Sequence, residues 1–288
     1  MDLRTFSTTL PLACGQALDA NLVYAVYGKL NEAADNLVLF PTRYGGTHEH
    51  NDWLIGSNRA LDPTKHCIVV PNQLGNGVSS SPSNTAGPFP RISHADNYEI
   101  QRRMLEVEFR AADIALAIGW SMGAQQACHW AVRAPDRVKR MLMFCGTAKT
   151  RPHNRVFLES LLAAFEADPR YGTDQPPLGG LRAAGRIYAG WAYSQPWLKA
   201  LGHRVLGFET LDEWLTGYWD ALFAQRHAGD LTSMIHTWIG NDVADGGDLG
   251  SALGVVRAKS IVMATTTDLY FTPADCAGAK LESGVSLI

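Results

Sequence analysis

The stretch from Ile114 to Gln126 constrains this chain more than any other. A five-residue apolar run, Ile114–Ile118, enters the pentapeptide Gly119-Trp120-Ser121-Met122-Gly123, and small or helix-forming residues follow directly. Read physically, this is a buried strand, a very sharp turn and a helix that begins at once. Gly119 and Gly123 carry no Cβ, so the backbone can fold tightly with Ser121 strained at the apex. That geometry lifts the serine hydroxyl above a sheet and aims the first N–H groups of the new helix at the same spot. Gly-x-Ser-x-Gly alone is weak evidence in a chain with 27 glycines among 288 residues. Its strand–turn–helix setting is what a nucleophile elbow requires.

The flanking chain supplies the rest of such a sheet. Residues 21–27, 36–40, 67–70, 138–145 and 260–264 are short apolar segments bounded by turn residues. Between them, 96–109 and 124–134 carry helical spacing, the second stopped by Pro135. Alternation of this kind predicts a mostly parallel sheet covered by helices on both faces. Residues 71–84 are so dense in Gly, Ser, Asn and Pro that a surface loop is expected. From 151 to 250 helical patterns are broken by Pro176-Pro177 and Gly179-Gly180, and Trp191, Trp197, Trp214 and Trp219 crowd together. We read this part as a helical lid insertion, whose aromatic rings either pack its own small core or line an apolar tunnel. The expected organisation is an α/β core from 1–150 and 251–288, with a lid at 151–250. Thr272-Pro273 reads as a helix start, and 284–288 begins a last strand on which the sequence stops, so the core is expected to be C-terminally incomplete.

Composition narrows the function classes. Hydrophobic residues make up 46% and charged ones 18%, the balance of a globular chain. A net charge of −3 without a basic cluster leaves no electrostatic footprint for nucleic acid. No apolar run approaches the roughly 18 residues of a membrane span, and the first residues lack the pattern of a secretory leader. The five cysteines have no metal-ligand spacing, and Cys67, Cys128 and Cys145 read as small core residues. A reduced, cytoplasmic protein without metal or other cofactor is the expectation.

Asn72–Gly77 with Ser81-Pro82-Ser83, the elbow Gly119–Gln126, and Asp268–Pro273 together resemble the α/β-hydrolase superfamily, and within it the homoserine O-acetyltransferase-like branch. The resemblance spans roughly residues 20 to 288 and implies the α/β-hydrolase fold and serine-based acyl transfer. The donor would be a small-molecule ester or acyl-CoA and the acceptor a hydroxyl compound or water, with a homodimer left open. One departure stands out. The branch usually carries Gly-Gly-Ser-Met-Gly-Gly at the elbow, and Trp120 in place of a glycine argues against homoserine as the acceptor.

On this reading Ser121 is the nucleophile and Asp268, at the end of a late strand, orients the base; the bland alternative for Asp268 is an ordinary turn residue. The oxyanion donors would be the backbone N–H groups of Met122 and of Arg43, in the loop 41–46. The base is the difficulty. In this fold the histidine follows the acid, yet all nine histidines precede Asp268. Three readings compete: the sequence lacks the part that carries the histidine; another histidine substitutes, with His153 the first candidate and His48 and His50 beside the oxyanion loop; or the protein keeps the pocket as a catalytically dead binding or scaffold module.

Overall fold

The computed structural model describes residues 1–110, 113–277 and 285–287. The chain opens with an antiparallel hairpin, β1 (Asp2–Pro11) against β2 (Ala17–Tyr27), paired from Asp2↔Val26 to Pro11↔Ala17. Then come β3 (Leu37–Leu39), a 3₁₀ segment His48–Leu54, β4 (Cys67–Pro71), α1 (His94–Glu108), β5 (Ile114–Trp120), α2 (Met122–Arg133) and β6 (Arg140–Phe144). A helical series follows: α3 (Pro152–Glu166), α4 (Leu178–Ala192), α5 (Gln195–Lys199), a 3₁₀ turn Gly202–Leu206 and α6 (Leu211–Trp214). The helix of α6 runs on through a π segment, Leu215–Asp220, into α7 (Ala221–Ala224), before α8 (Ala228–Ile239) and α9 (Leu249–Gly254). The chain then returns through β7 (Lys259–Met263), α10 (Pro273–Ala277) and β8 (Val285–Leu287).

Among the described residues all eight strands form one sheet, in the order β1-β2-β4-β3-β5-β6-β7-β8. The hairpin and the β2–β4 pair are antiparallel, and every pair from β4 to β8 is parallel. Alternate residues of the central strands serve opposite faces, as a period of two requires. Leu37, Leu39, Val69, Ala117, Met141 and Met143 pack with α1 and α2 through Ile100, Met104, Ala127 and Trp130. Val38, Phe40, Ile68, Val70 and Ile118 face the other way, with Ile55 and Leu61. After β3 the chain moves outward to β4, then crosses back to place β5 on the other side of β3. That reversal opens a crevice at the C-terminal ends of β3 and β5, where open α/β sheets bind their ligands.

The helices between β6 and β7 bury a second cluster, built on Phe157, Leu161, Phe165, Leu181, Trp214, Trp219 and Trp238. Tyr44, Met122 and Phe271 belong to the same cluster, so the helical layer sits on the crevice itself. Val243, Leu253 and Val256 pack in the main core with the sheet. No helix among the described residues is long and apolar enough to cross a membrane.

One expectation is corrected. The segment 71–84 is not a surface loop: Asn72, Gln73, Leu74, Ser79 and Ser81 are fully buried. Its polar side chains take over the hydrogen bonds that a buried irregular backbone must otherwise forgo. Asn76 Oδ1 accepts from the N–H groups of Val78 (3.0 Å) and Ser79 (3.2 Å), and Ser81 Oγ accepts from that of Gly77 at 2.7 Å. Asn72 accepts from His48 N–H (2.9 Å) and donates to Val23 O (3.0 Å). Asp230 on α8 holds the far end through the N–H and hydroxyl of Ser83, at 2.9 and 2.7 Å.

Candidate active site

Ser121 is the single residue between β5 and α2, and its backbone stands at φ 54°, ψ −131°. A side chain there is strained by about 1–3 kcal/mol, which the surroundings must hold in place. They do so by backbone bonds. Ser121 donates to Phe144 O at 3.2 Å on β6, and its own carbonyl accepts from Ala124 (2.9 Å) and Gln125 (3.2 Å). Both glycines are sterically compelled. A Cβ on Gly119 would overlap the Gly123 carbonyl, and one on Gly123 would overlap the Pro41 carbonyl oxygen. The second contact matters most, because it presses the loop after β3 against the start of α2 and brings Arg43 beside the elbow. Met122 opens α2, so its N–H has no intrahelical acceptor.

Ser121, Arg43 and Asp268 line one cavity of about 660 Å³. The structure therefore brings the candidate nucleophile, acid and oxyanion loop together. Asp268 lies in the turn beyond β7, where its Oδ1 accepts from the N–H groups of Tyr270 (2.8 Å) and Phe271 (3.0 Å). Cys145, also on the wall, has its thiol pushed up to about 12 by burial and by the nearby Asp268 carboxylate. Much of the remaining wall is aromatic, including Trp120, Tyr188, Trp191 and Trp219. The tryptophans thus divide: Trp214 and Trp238 are buried in the helical layer, while Trp191, Trp197 and Trp219 reach the cavity. Trp120 is clamped. The Arg43 guanidinium lies 5.2 Å from the centre of its ring, Trp53 meets it edge-on at 6.1 Å, and its indole N–H points at Asn51 Oδ1, 3.5 Å away.

Residues 35–178 match the alpha/beta hydrolase fold family. An ethyl acetate hydrolase of Pseudomonas veronii is 38% identical over 281 residues, covering 93% of this chain and 80% of that protein. The chain belongs to the α/β-hydrolase family. The crystal structure of an acetylester hydrolase from Corynebacterium glutamicum superimposes with a TM-score of 0.96 at 37% identity, over 100% of this chain and 87% of that one. A homoserine O-acetyltransferase of Trichormus variabilis is more distant, 25% identical over 283 residues, covering 91% of this chain and 78% of that protein. This α/β-hydrolase thus carries the expected acyltransferase likeness, with stronger similarity to esterases.

None of the nine histidines, the substitute-base candidates included, lines this cavity. His153, in the first turn of α3, turns its Nε2 to Tyr270 O at 3.2 Å and Asp275 Oδ2 at 3.5 Å. His50 is held by Thr47, and His48 by Asn72. His94, at the start of α1, stacks on His129 of the elbow helix, ring centres 5.0 Å apart. His94 Nδ1 lies 2.7 Å from Gln126 Oε1, and His129 Nε2 3.1 Å from Asn241 Oδ1. Burial lowers His94 to about 4 and takes His129 well below its ordinary value, so the pair is neutral and packs α2 against α1. Among the described residues no group of three His, Cys, Asp or Glu side chains is placed to hold a metal ion.

Among the cavity residues without a role in the sequence reading are Tyr44, Tyr188, Tyr270 and Arg226. Tyr44 and Tyr270 lie within two positions of Arg43 and Asp268, and that adjacency was the available signal. Arg226, at the end of α7, has no motif around it. Burial and the neighbouring Arg43 charge lower its pKa.

Proposed function

We propose that this chain is a carboxylic ester hydrolase of small, short-acyl esters that works through an acyl-Ser121 intermediate. The observation that carries the reading is Ser121, strained and aimed into the same aromatic cavity as Asp268. The similarity to an ethyl acetate hydrolase and an acetylester hydrolase supports esters over other acyl donors. Ser121 Oγ attacks the ester carbonyl while its proton passes to a base, and the alcohol leaves carrying that proton. Water then repeats the attack on the acyl-serine and releases the acid. The N–H groups of Met122 and Arg43 receive the oxyanion, a donor of this kind being worth ~3 kcal/mol. Asp268 orients the base.

Small-molecule rescue tests this directly. Added imidazole should support saturable hydrolysis of 4-nitrophenyl acetate above its own solution rate, and Ser121→Ala should remove that excess. An excess that survives Ser121→Ala would refute Ser121 as nucleophile. No excess at any imidazole concentration would favour the binding-module reading, which the absence of a histidine from the cavity wall supports. Transfer to a hydroxyl acceptor is the other reading, supported by the homoserine O-acetyltransferase likeness. It predicts a mixed ester product when an alcohol is present, where hydrolysis gives the free acid.

A further inference from the structure

Three phenols meet at the cavity wall beside Asp268. Tyr44 stacks on Tyr188 with ring centres 6.0 Å apart and planes 13° from parallel, and Tyr188 lies 5.8 Å from Tyr270. Trp238 backs both outer rings, at 5.8 Å from Tyr44 and 6.1 Å from Tyr270. Aromatic burial accounts for these rings, but it does not account for their hydroxyls. Tyr44 is 3% exposed, and its Oη finds no hydrogen-bond partner among the described residues. Tyr270 Oη is also buried and has no partner at full hydrogen-bond geometry among the described residues; the Tyr188 hydroxyl is the nearest interacting group and helps to hold its proton. Phenylalanine at either position would pack the same ring and strand no polar atom.

The groups around these hydroxyls share one polarity. Burial raises the pKa of Tyr44, Tyr188 and Tyr270, so each remains a protonated donor. The Arg43 guanidinium spends one N–H on Tyr44 O at 2.8 Å, and its Nε is buried without a partner among the described residues. Asp268 is the one carboxylate on the described wall, and Tyr270 and Phe271 hold its Oδ1 through their N–H groups. This part of the cavity therefore holds donors that find no acceptor among the described residues, and a ligand can supply one.

We propose that the Tyr44 and Tyr270 hydroxyls form a donor pair that binds a second oxygen acceptor of the substrate, apart from the scissile ester group. The proposal rests on the ester-hydrolase reading and narrows it to esters with a further ether, carbonyl or carboxylate oxygen in one arm. Tyr270 is fixed to Asp268 through its own N–H, and both tyrosines line the cavity that Ser121 lines.

The test separates binding from turnover. In a Ser121→Ala background, tryptophan fluorescence reports binding through Trp120, Trp191 and Trp219 on the wall. The probes are butyl acetate and 2-methoxyethyl acetate, equal in heavy-atom count and differing by one ether oxygen, with 3-acetoxypropanoate as an anionic arm. Adding Tyr44→Phe and Tyr270→Phe together should raise the Kd of the ether ester relative to that of butyl acetate by about tenfold, two modest hydrogen bonds being at stake. A larger loss for 3-acetoxypropanoate would identify a carboxylate as the preferred acceptor. If both neutral esters bind and their ratio stays within about twofold, the donor pair is overturned while the ester reading stands. If neither neutral ester binds the Ser121→Ala protein, the ester reading fails and this proposal with it.

Discussion

Acidification should loosen the support behind the elbow, and the size of the effect can be worked out in advance. His94 is 2% exposed, lies between Gln125 and Gln126 of α2, and stacks on His129. The Arg133 guanidinium approaches His129 Nδ1 at 3.4 Å, is itself tied to Asp245, and opposes any positive charge on the pair. Burial lowers His94 from 6.5 to about 4. An unfolded chain therefore takes up a proton below pH 6.5 that the folded chain refuses until about pH 4. Stability is unaffected by this group above pH 6.5 and falls as the pH drops through the window from 6.5 to 4. At ~1.4 kcal/mol per pH unit, the stretch from 6.5 down to 5.0 removes about 2 kcal/mol through His94 alone. His129 shifts in the same direction and adds to the loss. Urea unfolding followed by far-ultraviolet circular dichroism, at pH 7.5 and 5.0, measures it for the wild type and for His94→Gln. The variant should lose about 2 kcal/mol less than the wild type across that interval, whatever its stability at pH 7.5. Equal losses in the two proteins would refute the argument.

Three further outcomes are expected. Ser121→Gly should raise the melting temperature in calorimetry, by relief of about 1 kcal/mol of backbone strain, while abolishing imidazole-supported hydrolysis. Asn76→Ala should lower stability by about 2 kcal/mol in urea titrations, because the buried N–H groups of Val78 and Ser79 lose their shared acceptor. Trp120→Gly should remove the ring under Arg43 and one side of the cavity, so that kcat/KM for esters with longer acyl chains rises relative to acetate esters, with competition assays giving the ratio.

How much of this was legible in the sequence depended on whether the relevant interaction was local. The elbow was, because Gly119 meets the Gly123 carbonyl within its own turn and the apolar run before them admits few other folds. Strand β1 was missed: its edge position leaves residues such as Leu3 (49% exposed) in solvent, so no apolar alternation marks it, and its pairing partner β2 defines it. Segment 71–84 was misread for the converse reason. Asn and Ser look like solvent-seeking residues until partners far off in sequence engage them: Ser80 and Ser79 accept from the N–H groups of Asn21 and Val23, and Ser83 donates to Asp230. Arg226 reaches the cavity only because α7 is folded over the crevice, and nothing within its own segment encodes that.

The contact between the Gly123 position and the Pro41 carbonyl has a wider consequence. The elbow and the oxyanion loop are locked to each other main chain to main chain, so no cavity side chain is needed to keep them aligned. The aromatic wall, by contrast, comes largely from α4, α5 and the helix running through Leu215–Asp220 into α7, which the sheet merely carries. Reactive geometry and substrate shape are thus written in separable parts of the chain. Selection, natural or in the laboratory, can redraw the wall residue by residue while the Ser121 hydroxyl stays where it is.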